Sequence, residues 1–134
     1  AVYLKDGAKP AETAKPVAEN DPAMVAGKAI YGDRCSACHT PNGEGVAHLF
    51  PKLAMAPLIN SNDPSSLIRV VLAGSRAGAT DAAPTAPAMP AFGWNLSDEN
   101  VADVLTYVRN TWGNAAPAVS SAEVKDVREA LTPK

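Results

Sequence analysis

Aromatic side chains are scarce in this chain: two Trp, three Tyr and two Phe make up 5% of its 134 residues. Apolar burial stabilises by about 25 cal/mol per Å², and the 26 Ala and 12 Pro that dominate instead bury little area each. A core of Ala, Val and Leu with so few rings is underfilled, so something other than side chains is expected to complete it. Cysteine is equally sparse: Cys35 and Cys38 are too few for a disulfide-rich scaffold. There is no excess of positive charge. Twelve Lys+Arg against 14 Asp+Glu give a net charge of -2, which argues against a nucleic-acid partner, since that needs a basic face. No run of 18 apolar residues occurs, so no transmembrane segment is expected. The start, Ala1-Val2-Tyr3, has neither an initiator Met nor a signal-peptide pattern, and reads as a chain whose signal peptide is already removed. Strand alternation of useful length is missing too.

What is present divides into an arm, a domain and an extension. Residues 1–20 interleave Lys5, Lys9 and Lys15 with Asp6, Glu12 and Glu19 among Ala and Pro, without apolar periodicity. They read as a flexible arm or linker. Asp21-Pro22 is a helix start, because Asp caps well and Pro is tolerated at the first helical position. The helix should run from Pro22 to about Arg34, with Val25, Ala29 and Ile30 as its apolar stripe. Gly27 inside it costs roughly 1 kcal/mol relative to Ala, which a close helix crossing would explain. Asp63-Pro64 repeats the start signal ahead of Leu67, Ile68, Val71 and Leu72, and Gly74 stops that helix. Ser97, with Asp98 and Glu99, opens a third helix carrying Val101, Val104, Leu105 and Val108 and ending at Gly113. Ser120 and Glu123 form a capping box for a short fourth helix, Ser121 to Leu131, lined by Val124, Val127 and Leu131. The segments 40–62 and 75–96 read as ordered loops whose apolar residues (Leu49, Phe50, Leu53, Leu58, Phe92, Trp94) need a surface to pack on.

The chemistry is concentrated in Cys35-Ser36-Ala37-Cys38-His39, a C-x-x-C-H motif. Two thiols three apart at a helix end can each add to one vinyl group of the same haem edge, and the following His is then held under the iron. A thioredoxin-like dithiol lacks the β-α-β surroundings it requires. Half a zinc site lacks a second Cys/His pair, His48 being alone.

From about Pro22 to Gly113 the sequence resembles a class I cytochrome c, on the helix ending in C-x-x-C-H-T, a proline-rich loop holding a Met, and a last helix with Tyr107 and Trp112. The resemblance implies an all-α fold of three to four helices and ordered loops wrapped around one covalent haem c. The domain boundaries are then 21–113, with 114–134 as a C-terminal extension. It implies thioethers at Cys35 and Cys38 and a proximal ligand at His39. Phe50-Pro51-Lys52-Leu53 resembles the family's Gly-Pro-x-Leu segment, which gives the Pro51 carbonyl the His39 ring N–H to accept and places Leu53 at the haem. Met89-Pro90-Ala91-Phe92 resembles the axial-Met loop, making Met89 the sixth ligand and Phe92 a haem neighbour. Met89 lies 50 residues beyond His39 and Met55 only 16, while Met24 precedes the motif; His48 is the other candidate. Trp94 reads either as an indole donor to a haem propionate or as core packing, and Arg76 as a propionate partner or a solvated loop residue. Tyr31, Tyr107 and Trp112 read as packing where the first and last helices cross.

Two axial protein ligands leave no open iron position and raise the potential, so the implied role is one-electron transfer, not catalysis. A haem-based enzyme or gas sensor with a labile sixth ligand is the alternative. Residues 35–43 carry no charge and 77–96 carry only Asp81, so an apolar, weakly charged docking face is expected. Phe50–Leu53, Asp63–Leu72, Met89–Trp94 and Leu105–Arg109 are together similar to haem domains of periplasmic dehydrogenases, including the cytochrome subunits of quinoprotein alcohol dehydrogenases. That resemblance implies a periplasmic location and a dehydrogenase donor. The acceptor it implies is a cytochrome, a quinone-linked complex or an oxidase. Haem would also fill the underfilled core, and a chain lacking it is expected to fold poorly.

Overall fold

Asp21 and Pro22 start the first helix: the Asp21 carboxylate accepts the Ala23 N–H at 2.9 Å, and α1 runs Pro22–Arg34. The computed structural model describes residues 16–76 and 88–132. The expected arm thus lies mostly outside the described residues. Its described end is held, with the Val17 N–H donating to Asn110 Oδ1 at 3.0 Å.

Among the described residues there are five helices: α1, α2 (Ser36–His39), α3 (Ser65–Ala73), α4 (Asp98–Val108) and α5 (Ser121–Leu131). A two-residue antiparallel pair, β1 (Ser75–Arg76) with β2 (Ala88–Met89), sets Ser75 opposite Met89. The buried face of α1 is Met24, Gly27 and Tyr31, while Val25 is exposed and Ile30 half-buried. This corrects the expected stripe of Val25, Ala29 and Ile30. The close crossing with α4 selects the face that carries Gly27. Tyr31, Tyr107 and Trp112 do meet at that crossing, with ring centroids 5.0–5.7 Å apart. Leu67, Ile68, Val71 and Leu72 of α3 are buried as expected.

α4 stops at Val108, before the expected Gly113, because side chains take over its last carbonyls. Asn110 Nδ2 donates to Thr106 O at 2.9 Å and Asn114 Nδ2 to Val108 O at 2.8 Å. The segment expected as an extension belongs to the same core. Ala116, Val119 and Val124 are buried, and α5 packs on both α3 and α4.

Candidate functional site

The site grows from the end of α1. The Cys35 N–H donates to Tyr31 O, and the Cys35 carbonyl accepts the His39 N–H, each at 3.0 Å. Cys35 to His39 is therefore one helical turn, with Cys38 and His39 three and four residues on and on the same side. All three line one cleft, together with Arg34, Leu49, Phe50, Pro51, Ser75, Met89 and Phe92. Beneath it an apolar cavity shares Cys35, His39, Met89 and Phe92. Its walls are Tyr31, Leu53 and Ile59 with Leu67 and Val71 of α3 and Val104, Leu105 and Val108 of α4. Ordered loops and helix stripes thus close over one apolar space.

His39 is buried, and its Nδ1 lies 3.0 Å from the Pro51 carbonyl oxygen. A carbonyl only accepts, so Nδ1 donates here and Nε2 is the ring nitrogen left to act as a ligand. Gly45 makes this approach possible. Its φ is +68°, its N–H donates to His39 O at 2.9 Å, and a Cβ there would lie 2.6 Å from Pro51 O. Sequence reasoning missed Gly45, since nothing in its neighbours signals a close approach. Leu53 is fixed by its N–H to Gly43 O at 2.7 Å.

Burial, reinforced by the neighbouring Cys38, pushes the Cys35 thiol up to about 11 against the opposing pull of Arg34. A redox dithiol works as a thiolate and needs the opposite shift. Among the described residues no group of three or more His, Cys, Asp or Glu is arranged to hold a metal ion.

Of the residues weighed as sixth ligand, Met89 lines both the cleft and the cavity beneath it. Met55 is exposed on the surface beside Gly113, and Met24 packs by Tyr107 and Thr111. His48 is exposed and does not line the cleft. Trp94 is 83% exposed, which corrects the core-packing alternative. Leu49 and Leu58 are likewise exposed rather than packed. Arg76 has its backbone in β1, and its side chain lies outside the described residues. The cation the structure does place on the cleft is Arg34, overlooked although it adjoins the motif.

Residues 24–112 match the family model described as Cytochrome c. The chain belongs to the cytochrome c family. Membership implies a covalently bound haem c and a part in electron transfer. The residues fit that group: two free thiols on one turn, a His ring nitrogen, Nε2, that the Pro51 bond leaves unused, and an apolar cavity beneath them. The chain is 41% identical to the gluconate 2-dehydrogenase cytochrome c subunit of Pantoea cypripedii, over 93% of its own length and 30% of that protein. It is 38% identical to the alcohol dehydrogenase (quinone) cytochrome c subunit of Gluconacetobacter polyoxogenes, over 90% of the chain and 26% of the relative. Against the same subunit of Gluconobacter oxydans (strain 621H) identity is 41%, over 81% and 23%. The chain therefore spans less than a third of the length of these curated relatives. No described helix of this cytochrome c is long and apolar enough to cross a membrane.

Proposed function

We propose that this domain is a periplasmic one-electron carrier, with haem c held through Cys35 and Cys38 and ligated by His39 and Met89. The observation that carries the reading is the convergence of those four residues, from α1–α2 and from a loop 50 residues later, on one apolar cleft. Bound haem c supplies an iron that changes by one electron. The chain's own residues do the rest. Cys35 and Cys38 anchor the edge of the group, and Pro51 fixes the His39 tautomer and ring orientation. Met89 would supply the second protein ligand, which would raise the potential and exclude exogenous ligands. Leu53, Phe92 and the α3–α4 wall keep water out.

The relatives named above are cytochrome subunits of dehydrogenases. The donor proposed here is accordingly a dehydrogenase subunit, where catalysis resides, and the acceptor a cytochrome, a quinone-linked complex or an oxidase. Leu49, Ala88 and Pro90 at the mouth of the cleft, all exposed, supply the weakly charged docking face. Trp94 and Arg76 are proposed to meet haem propionates from the rim. A pyridine haemochrome assay and the near-infrared Met-to-iron band of the oxidised protein test the assignment. Haem c and the band are expected in the wild type, and the band should vanish in Met89→Ala. A wild type without the band has an open or different sixth position, which would favour a haem enzyme or sensor.

A further inference from the structure

Met89 is joined to α4 by the turn 90–96, and that turn is gripped from two sides. On one side α3 ends beneath it. The Phe92 N–H donates to Val71 O at 2.8 Å and the Gly93 N–H to Leu72 O at 3.1 Å. Gly93 lies so close to α3 that a Cβ there would sit 2.8 Å from Leu72 O. On the other side stands Arg128 of α5. Its Nη1 donates to Gly93 O at 2.6 Å, its Nη2 to Leu96 O at 2.8 Å, and its Nε to Asp98 Oδ1 at 2.7 Å. One planar guanidinium therefore ties two carbonyls of the turn to the first residue of α4. Only Pro90, Ala91 and Phe92 separate Met89 from Gly93, and Pro90 removes one of the free torsions.

We propose that Arg128 is a positioning residue for the sixth iron ligand, which brings α5 into the haem-ligand apparatus. This rests on Met89 being that ligand. The physical case is that a loop held at the cleft keeps Met89 within reach of the iron, whereas a looser loop lets an added ligand displace it more readily. The β1–β2 pair restrains the loop on its N-terminal side. On the C-terminal side the restraint is the turn that Arg128 and the end of α3 clamp. Charge-assisted bonds to fixed acceptors are strong and directional, and the Arg fork serves three of them at once in a way a Lys ammonium cannot. The ion pair itself is about one-third exposed on both partners and is screened accordingly. The two carbonyl bonds matter more, because they act on the backbone of the Met89 loop. α5 lies beyond residues 24–112, the part that matches the family model, so the clamp is an addition to the family core.

The test is titration of the oxidised holoprotein with imidazole, followed by loss of the near-infrared Met-to-iron band, in the wild type, Arg128→Gln, Arg128→Lys and Gly27→Ala. Gly27 sits at the α1–α4 crossing, away from the clamp, and reports what general destabilisation does. Imidazole is expected to bind about tenfold more tightly in both Arg128 variants, with Arg128→Lys no better than Arg128→Gln and Gly27→Ala close to wild type. If Arg128→Gln does not fold, the Lys variant carries the comparison. Wild-type affinity in the Arg128 variants overturns the inference. So does a shift in Gly27→Ala as large as theirs, since the role would then be structural alone. A wild type without the band overturns the Met89 assignment, and this inference with it.

Discussion

Gly27 of α1 packs straight onto the backbone of Asp103 in α4. A Cβ at residue 27 would lie 2.8 Å from the Asp103 carbonyl carbon and 2.7 Å from Tyr107 Cβ. In an exposed helix, Gly→Ala stabilises by about 1 kcal/mol. Here the sign reverses, because the obstacle is backbone and cannot rotate aside. Gly27→Ala is expected to lower stability by about 1–3 kcal/mol, read as a shift in the urea midpoint at constant slope. A midpoint at or above wild type would show that α1 and α4 can separate without cost.

Arg109 is 0% exposed and spends its guanidinium on backbone. Nε donates to Ile59 O at 3.0 Å, Nη1 to Pro117 O at 2.9 Å, and Nη2 to Ser61 O. Burial draws its pKa below the usual Arg range, with Glu123 and Asp63 opposing, yet an Arg so bonded stays charged. It joins the end of α4 to the loop carrying Ile59, a wall residue of the haem cavity. Arg109→Met leaves those carbonyls without donors and should cost about 3 kcal/mol or more. Arg109→Lys should recover little, since one ammonium cannot span three separated acceptors. Thermal or urea unfolding of the holoprotein checks both, and full recovery by Lys would show that charge matters more than the fork.

Asp63 supplies the pH dependence. The Ser65 hydroxyl and the Ser65 N–H, the latter at 2.9 Å, both donate to its carboxylate and hold it below the usual Asp range. A depressed folded-state value stabilises above the unfolded value of about 3.9. That contribution disappears as the pH falls through the folded value. Wild type should therefore exceed Asp63→Asn in stability at pH 7 and converge with it in strong acid. The readout is the difference between the two, because Asp103 works the other way. Burial first, then Glu99 and Asp21, raise its carboxyl pKa, so protonating it favours the fold. A gap between the variants that stays constant with pH would show that the Asp63 charge is irrelevant.

The face around the cleft predicts how partners meet it. Arg34 is the cation on the cleft among the described residues, and Lys52 is tied at 3.5 Å to Glu44. With so little free charge, the bimolecular rate of electron transfer to a redox partner should depend only weakly on ionic strength, since salt screens charge steering. Stopped-flow rates across a salt series measure this, and a steep fall with added salt would contradict it.

Several features were legible in the residues because their signals are local. Asp21-Pro22 and the Ser120–Glu123 box mark helix starts that the backbone obeys, since a cap satisfies orphan N–H groups within one turn. The Leu67–Leu72 stripe is inward for the same short-range reason. The face of α1 was misread because Val25 outranks Gly27 in hydropathy, whereas a close crossing selects for small size. Arg109 and Arg128 passed unnoticed because an Arg in a helix ordinarily reads as solvated. Their partners lie up to 50 residues away, without any pattern to announce them.

The sequence by itself therefore determined the family, the attachment motif and most of the helices, all encoded within one or two turns of chain. Met89 and the Pro51 carbonyl were named by resemblance alone, and the tertiary structure is what brings the one into the cleft and the other to His39. It also decided that α5 closes the core and grips the Met89 loop. Those outcomes depend on loops closing over tens of residues, where register is set by backbone fit at Gly45 and Gly93 and by the reach of buried arginines, and neither leaves a periodic trace in the sequence.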